Sequence, residues 1–167
     1  MTTETNQKPA VSLLDMLVKK ISAGINAALF VILLAMGLIL GANIVLRYFF
    51  ESPISWSNVI TRYAYIYIVL LGTAISYIEG GHAQIDFVYN SVSRGKKMVF
   101  DLLHYLVMLF LCIVLIFFGI KHVITMWPVH SPVVKSLSMG VVYLSVPISA
   151  AVMTVFLVKK ILELKFR

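Results

Sequence analysis

Charged side chains are scarce in this sequence. Asp, Glu, Lys and Arg make up 13% of 167 residues, against about a quarter in an average soluble domain. Acids are scarcer still: seven, against 14 Lys and Arg. No acid falls inside the long apolar runs, so the spans supply no carboxylate for proton or cation coupling. Cys112 is the lone cysteine, which excludes an intramolecular disulfide and a metal site built from paired thiolates. HExxH, Walker, GxSxG and cysteine-cluster motifs are missing, and nothing in the residues points to catalysis. No internal repeat is visible that would build an alternating-access pair.

What the chain does have is apolar length. Hydrophobic residues make up 60% of it, and its mean hydropathy is +0.96. Four runs without any charged residue stand at 21–46, 63–78, 102–120 and 136–158. About 20 mostly apolar residues cross a bilayer as a helix. The second run reaches that length only if it starts near Trp56 and includes Arg62. The pattern predicts an all-α integral membrane protein in a single domain, with spans at about 21–48, 55–78, 98–122 and 136–159. The polar start and the length of the first run predict no cleavable signal peptide.

The net charge of +7 does not read as a nucleic-acid footprint, because the basic residues flank the oily runs and no basic stripe interleaves with aromatics. On one side stand Lys8, Lys19, Lys20, Arg94, Lys96, Lys97, Lys159, Lys160, Lys165 and Arg167; on the other only Arg47, Arg62, Lys121 and Lys135. This asymmetry places both termini in the cytoplasm. Residues 11–21, with Leu14, Leu17, Val18 and Ile21 on one face and Ser12, Asp15, Lys19 and Lys20 on the other, predict an interfacial amphipathic helix leading into the first span. Residues 85–92 repeat the pattern with Ile85, Val88, Tyr89 and Val92.

Within the spans, Gly37 and Gly41 form a small-xxx-small pair that permits close helix approach, and Asn26 shares that face while Asn43 falls on another. Pro147 removes one helix hydrogen bond and predicts a kink in the fourth span. His104 and His122 lie about 27 Å apart along one helix and cannot share an ion. His82 and His104 sit on neighbouring segments, which leaves open a haem-bearing membrane anchor of a respiratory enzyme. Four spans alone would also suit a small self-assembling exporter, but the missing intramembrane acid counts against that.

The stretch RYFFESPISWSNVITRY, residues 47–63, holds two arginines close to lipid. Arg47 and Tyr48 close the first span; Pro53 and Trp56 open the second, with Ser55 a candidate cap. Tyr48, Trp56 and Tyr63 suit the membrane interface, and Arg62 lies shallow enough to snorkel. Two roles suit the arginines: anchoring on lipid phosphate, or a polar knot in which Arg47 pairs with Glu51 and Arg62 bonds helix-end carbonyls or a partner chain.

Arg47-Tyr48, Ser52-Pro53, Trp56, Arg62-Tyr63, Gly72 and EGGHAQIDF at 79–87 together resemble the small membrane subunit of tripartite ATP-independent periplasmic (TRAP) transporters. The resemblance implies a fixed scaffold with no substrate, metal or cofactor site of its own. Its implied partners are membrane lipids, a large multi-span subunit that carries substrate and sodium as an elevator, and a periplasmic binding protein that delivers an organic acid of the C4-dicarboxylate or sialic acid type. The family often has two acids directly after the tryptophan, where this chain has Ser57, Asn58 and Val59. Glu51 is then the only local acid, which turns Arg47 and Arg62 toward lipid or a partner.

Overall fold

The computed structural model describes residues 9–78 and 94–165, with side chains at 15–78 and 101–162. The expected interfacial helix at 85–92, His82 and the motif at 79–87 lie outside the described residues. Five helices follow in order: α1 Pro9–Phe49, α2 Ser57–Ile78, α3 Arg94–Met126, α4 Met139–Tyr143 and α5 Ser145–Lys165. Four segments are long and apolar enough to cross a membrane: Asp15–Phe49, Ser57–Ile78, Asp101–Met126 and Met139–Leu162. The chain is a multi-pass, all-helical membrane protein, and the described residues hold no strand beyond one isolated bridge between His130 and Ser138.

Residues 11–21 do not form a separate helix. They are the opening turns of α1, which has 41 residues, because nothing between Val11 and Ile21 breaks a helix. Pro9 stands at the first helical position, where its missing N–H would be unpaired in any case. At about 1.5 Å per residue, α1 is roughly 62 Å long, twice the ~30 Å hydrocarbon thickness. The far end turns at Glu51, whose φ of 51° is left-handed. That turn lets the Ser52 N–H reach back to the Leu46 carbonyl at 3.2 Å, so an orphan carbonyl at the helix end is satisfied.

α5 is the hub of the bundle. α1, α2, α3 and α4 all pack on it, while α3 joins the rest chiefly through α5 and α4. Phe156 and Leu157 on α5 are fully buried. Around them gather Val18 of α1, Ala74, Ile75 and Tyr77 of α2, Cys112 of α3 and Met153 of α5. Gly119 of α3 allows a close crossing with α5: a Cβ there would stand 3.2 Å from Pro147 Cδ. Pro147 lies in the first turn of α5. The fourth span is interrupted at Leu144, next to Tyr143, the residue whose carbonyl a proline four positions on would crowd.

α1 shows how little of a spanning helix this chain covers. Val18, Ile21, Ile25, Leu29, Ile32, Met36, Ile39, Asn43 and Leu46 form one inward stripe, spaced three or four apart, and its other faces are largely exposed. Phe30, Val31, Leu33 and Leu38 are more than half exposed. Such surface is tolerated because lipid tails are as apolar as leucine; association rests on packing and hydrogen bonds. At the terminal end, Asp15 of α1 and Lys159 of α5 meet in an ion pair at 2.7 Å, so both terminal helices share one end. Asp15 therefore faces α5 and lies on the inward stripe with Val18, not on a solvated face with Lys19 and Lys20.

Candidate functional site

The end opposite the termini carries the residues between α1 and α2 and between α3 and α4. A network of hydrogen bonds binds the two connections. Asn43, 9% exposed, accepts the Ile54 N–H on Oδ1 at 2.7 Å and ties the 50–56 turn to the side of α1. Ser57 then starts α2, its hydroxyl donating to the Ile54 carbonyl at 2.8 Å. Thr61 donates to the Ser57 carbonyl at 2.8 Å, so both polar side chains are buried without loss. The helix begins at Ser57, two residues after Ser55, the expected cap.

The second connection folds on itself. Ser138 caps α4 by accepting the Gly140 N–H at 3.1 Å, and its hydroxyl donates to the Trp127 carbonyl at 2.6 Å. Met139 N–H bonds the Val129 carbonyl at 2.8 Å and Ser131 N–H the Leu137 carbonyl at 2.9 Å. α2 grips this loop with two tyrosines. The Tyr63 hydroxyl lies 3.5 Å from Ser131 Oγ and 3.5 Å from Met139 Sδ, and the Tyr67 hydroxyl donates to the Val141 carbonyl. Ser131 is 1% exposed.

A polar knot thus exists here, but its members are Asn43, Ser57, Thr61, Tyr63, Tyr67, Ser131 and Ser138 rather than the arginines. Arg47 and Arg62 are both exposed. No ion pair within 4 Å joins Arg47 to Glu51; among the described residues Asp15–Lys159 is the pair formed. Glu51 turns outward in its left-handed conformation, and the Arg47 guanidinium lies 5.9 Å from the centre of the Tyr48 ring, within cation–π range. Tyr48 is 75% exposed and Trp56 46%. This edge of the bundle therefore presents Arg47, Tyr48, Glu51, Trp56 and Arg62 outward, with Tyr63 turned in.

Gly37 and Gly41 also face out. A Cβ at either position would meet nothing within 4 Å, so their close-approach surface has no user among the described residues. His104 stacks on Tyr77, ring centres 6.5 Å apart, and abuts Tyr105 edge-on. Among the described residues no group of three or more His, Cys, Asp or Glu can hold a metal ion.

The described residues thus form four helices long and apolar enough to span a membrane, with broad uncovered apolar faces and a hydrogen-bonded polar clamp at one end. The family described as tripartite ATP-independent periplasmic transporters, DctQ component, matches residues 36–166, and the chain belongs to that family. A TRAP transporter small permease protein of Haemophilus influenzae is 29% identical over 85 residues, covering 51% of this chain and 53% of that protein's own length. The haem-anchor reading draws no support from either relationship.

Proposed function

We propose that this chain is the non-catalytic scaffold subunit of a TRAP transporter in a bacterial inner membrane. Both termini lie in the cytoplasm, and the clamp of Asn43, Tyr63 and Ser131 lies at the periplasmic side. The chain braces a large elevator-type subunit that moves an organic acid with sodium. A periplasmic binding protein delivers the substrate, of the C4-dicarboxylate or sialic acid class. The observation that carries this reading is the match to the family over 36–166. Two features support it: no acid lies inside the apolar runs, so coupling falls to another subunit; and α1 and α3 leave wide apolar faces uncovered, as a subunit packed beside a larger one needs.

The opening turns of α1 extend past the hydrocarbon and fix the subunit's depth and tilt from the cytoplasmic surface. Arg47, Tyr48, Glu51, Trp56 and Arg62 form its outer contact edge toward partner or lipid. Gly37, Gly41 and the nearby face of α1 offer a surface for close helix contact. Co-purification of a much larger membrane protein with this chain, and no uptake by this chain alone in liposomes, are the expected results. Sodium-driven uptake by the isolated chain defeats the reading. Arg62→Ala is expected to weaken assembly with the large subunit while leaving the apparent uptake constant within about twofold. Intact assembly with a sharply raised constant would assign Arg62 to transport instead.

A further inference from the structure

A second polar cluster lies on the bundle away from the clamp. Between α3 and the start of the fourth span runs a groove of about 510 Å³ lined by Phe118, Gly119, Lys121, His122, Thr125, Tyr143 and Val146. We propose that this groove binds the phosphate headgroup of one membrane phospholipid.

Three observations converge. The first is donor character. Lys121, His122 and Tyr143 offer an ammonium, a ring N–H and a phenol O–H, and no carboxylate lines the groove. The His122 ring meets the Tyr143 ring edge-on, with ring centres 4.4 Å apart, so the two side chains stand side by side in the groove. Thr125 spends its proton on the Lys121 carbonyl at 3.0 Å. Among the described residues no salt bridge reaches Lys121. The second is depth. The charge-free run 102–120 that precedes Lys121 measures about 28 Å at 1.5 Å per residue, close to the ~30 Å hydrocarbon. Lys121 therefore stands at the hydrocarbon edge, within snorkelling reach of the lipid phosphates, and Trp127, 54% exposed, follows at the end of the same helix. The third is the apolar part of the lining. Phe118, 60% exposed, Gly119 and Val146 stand beside the donors, and Gly119 meets Pro147 of the fourth span closely. Cationic and neutral donors beside apolar surface at the hydrocarbon edge match a phosphate with its acyl chain alongside. The inference rests on the membrane-spanning fold and not on the transporter role.

The test is native mass spectrometry of the full chain in mild detergent, titrated with phosphatidylglycerol, with diacylglycerol of the same acyl chains, and with inorganic phosphate. One phosphatidylglycerol per chain is expected, bound roughly tenfold or more tightly than diacylglycerol. Lys121→Gln and Tyr143→Phe weaken it, the first by roughly tenfold or more, while Lys121→Arg retains it and Arg62→Gln leaves it unchanged. Helix content by circular dichroism confirms folding, and Tyr143→Phe decides the matter should Lys121→Gln fail to fold. Equal binding of the two lipids, undiminished binding in Lys121→Gln, or an equal loss in Arg62→Gln overturns the proposal. Displacement of the lipid by millimolar phosphate would mark a soluble-anion site instead. If Lys121→Gln reduced co-purification of another subunit with lipid binding intact, the groove would hold a partner's carboxylate instead.

Discussion

Gly140→Ala probes the closest approach found at any of the described glycines. A Cβ at this position would stand 2.7 Å from Trp127 Cε3, 3.0 Å from Trp127 Cα and 3.2 Å from the Val123 carbonyl oxygen. Rotation of the indole relieves only the first contact; the other two atoms are backbone. α4 must then draw back from the end of α3, which stretches the Ser138–Trp127 bond at 2.6 Å and the Met139–Val129 bond at 2.8 Å. Overpacking costs about 1–3 kcal/mol, and each weakened hydrogen bond about 1 kcal/mol more. The better helix propensity of alanine returns at most about 1 kcal/mol. The net loss is about 2–4 kcal/mol, equivalent to a fall in Tm of roughly 4–16 °C for a chain of this size.

Thermal unfolding in detergent, followed by circular dichroism and by the fluorescence of the two tryptophans, measures that fall. Gly37→Ala is the internal control. It has the same chemistry in a helix but opens onto empty space, so its Tm should hold or rise slightly. A Gly140→Ala chain that melts with the wild type, or a Gly37→Ala chain that falls as far, refutes the argument from close approach.

Asn43→Ala leaves the Ile54 N–H without its acceptor and is expected to cost about 1–3 kcal/mol, with hydrogen exchange at the Ile54 amide accelerated by roughly tenfold; unchanged protection there would show that Asn43 does not hold the turn. Glu51→Gly removes the cost of a left-handed L-residue, about 1 kcal/mol, so its Tm should rise by a few degrees, and a fall would mean that the Glu51 side chain makes a contact worth more than the strain. Asp15→Asn breaks a half-exposed pair worth at most about 1 kcal/mol; the small loss should vanish in about 1 M salt, and a loss of several kcal/mol insensitive to salt would reveal a buried charge.

The spans were legible because hydrocarbon crossing demands long charge-free runs, and 21–46, 102–120 and 136–158 supply them. Helix α2 was the hardest to place, and its start at Ser57 came two residues past the expected one. Which face of each span turns inward was not legible. With leucine, isoleucine and phenylalanine on all sides, α1 carries no amphipathic contrast to separate lipid from protein. Hence Asn43 turned out to be an anchor, while Gly37 and Gly41 face outward. The clamp itself was hidden by distance, since Tyr63 meets Ser131 across 68 residues. A cue existed in the tyrosines one turn apart at 63 and 67, whose hydroxyls need partners once half-buried. The Asp15–Lys159 pair was hidden in the same way, because the interfacial reading assigned Asp15 to water.

The position of α5 in the chain has a consequence for how the molecule is made. The helix against which every other one packs leaves the ribosome after the other four. Before it enters the bilayer, α1 and α2 already pack on each other, whereas α3 lacks its main partner. The place of α3 in the bundle waits for Phe156 and Leu157. Shortening the protein ahead of residue 139 should therefore yield three spans that insert normally yet leave α3 without a fixed position against α1 and α2.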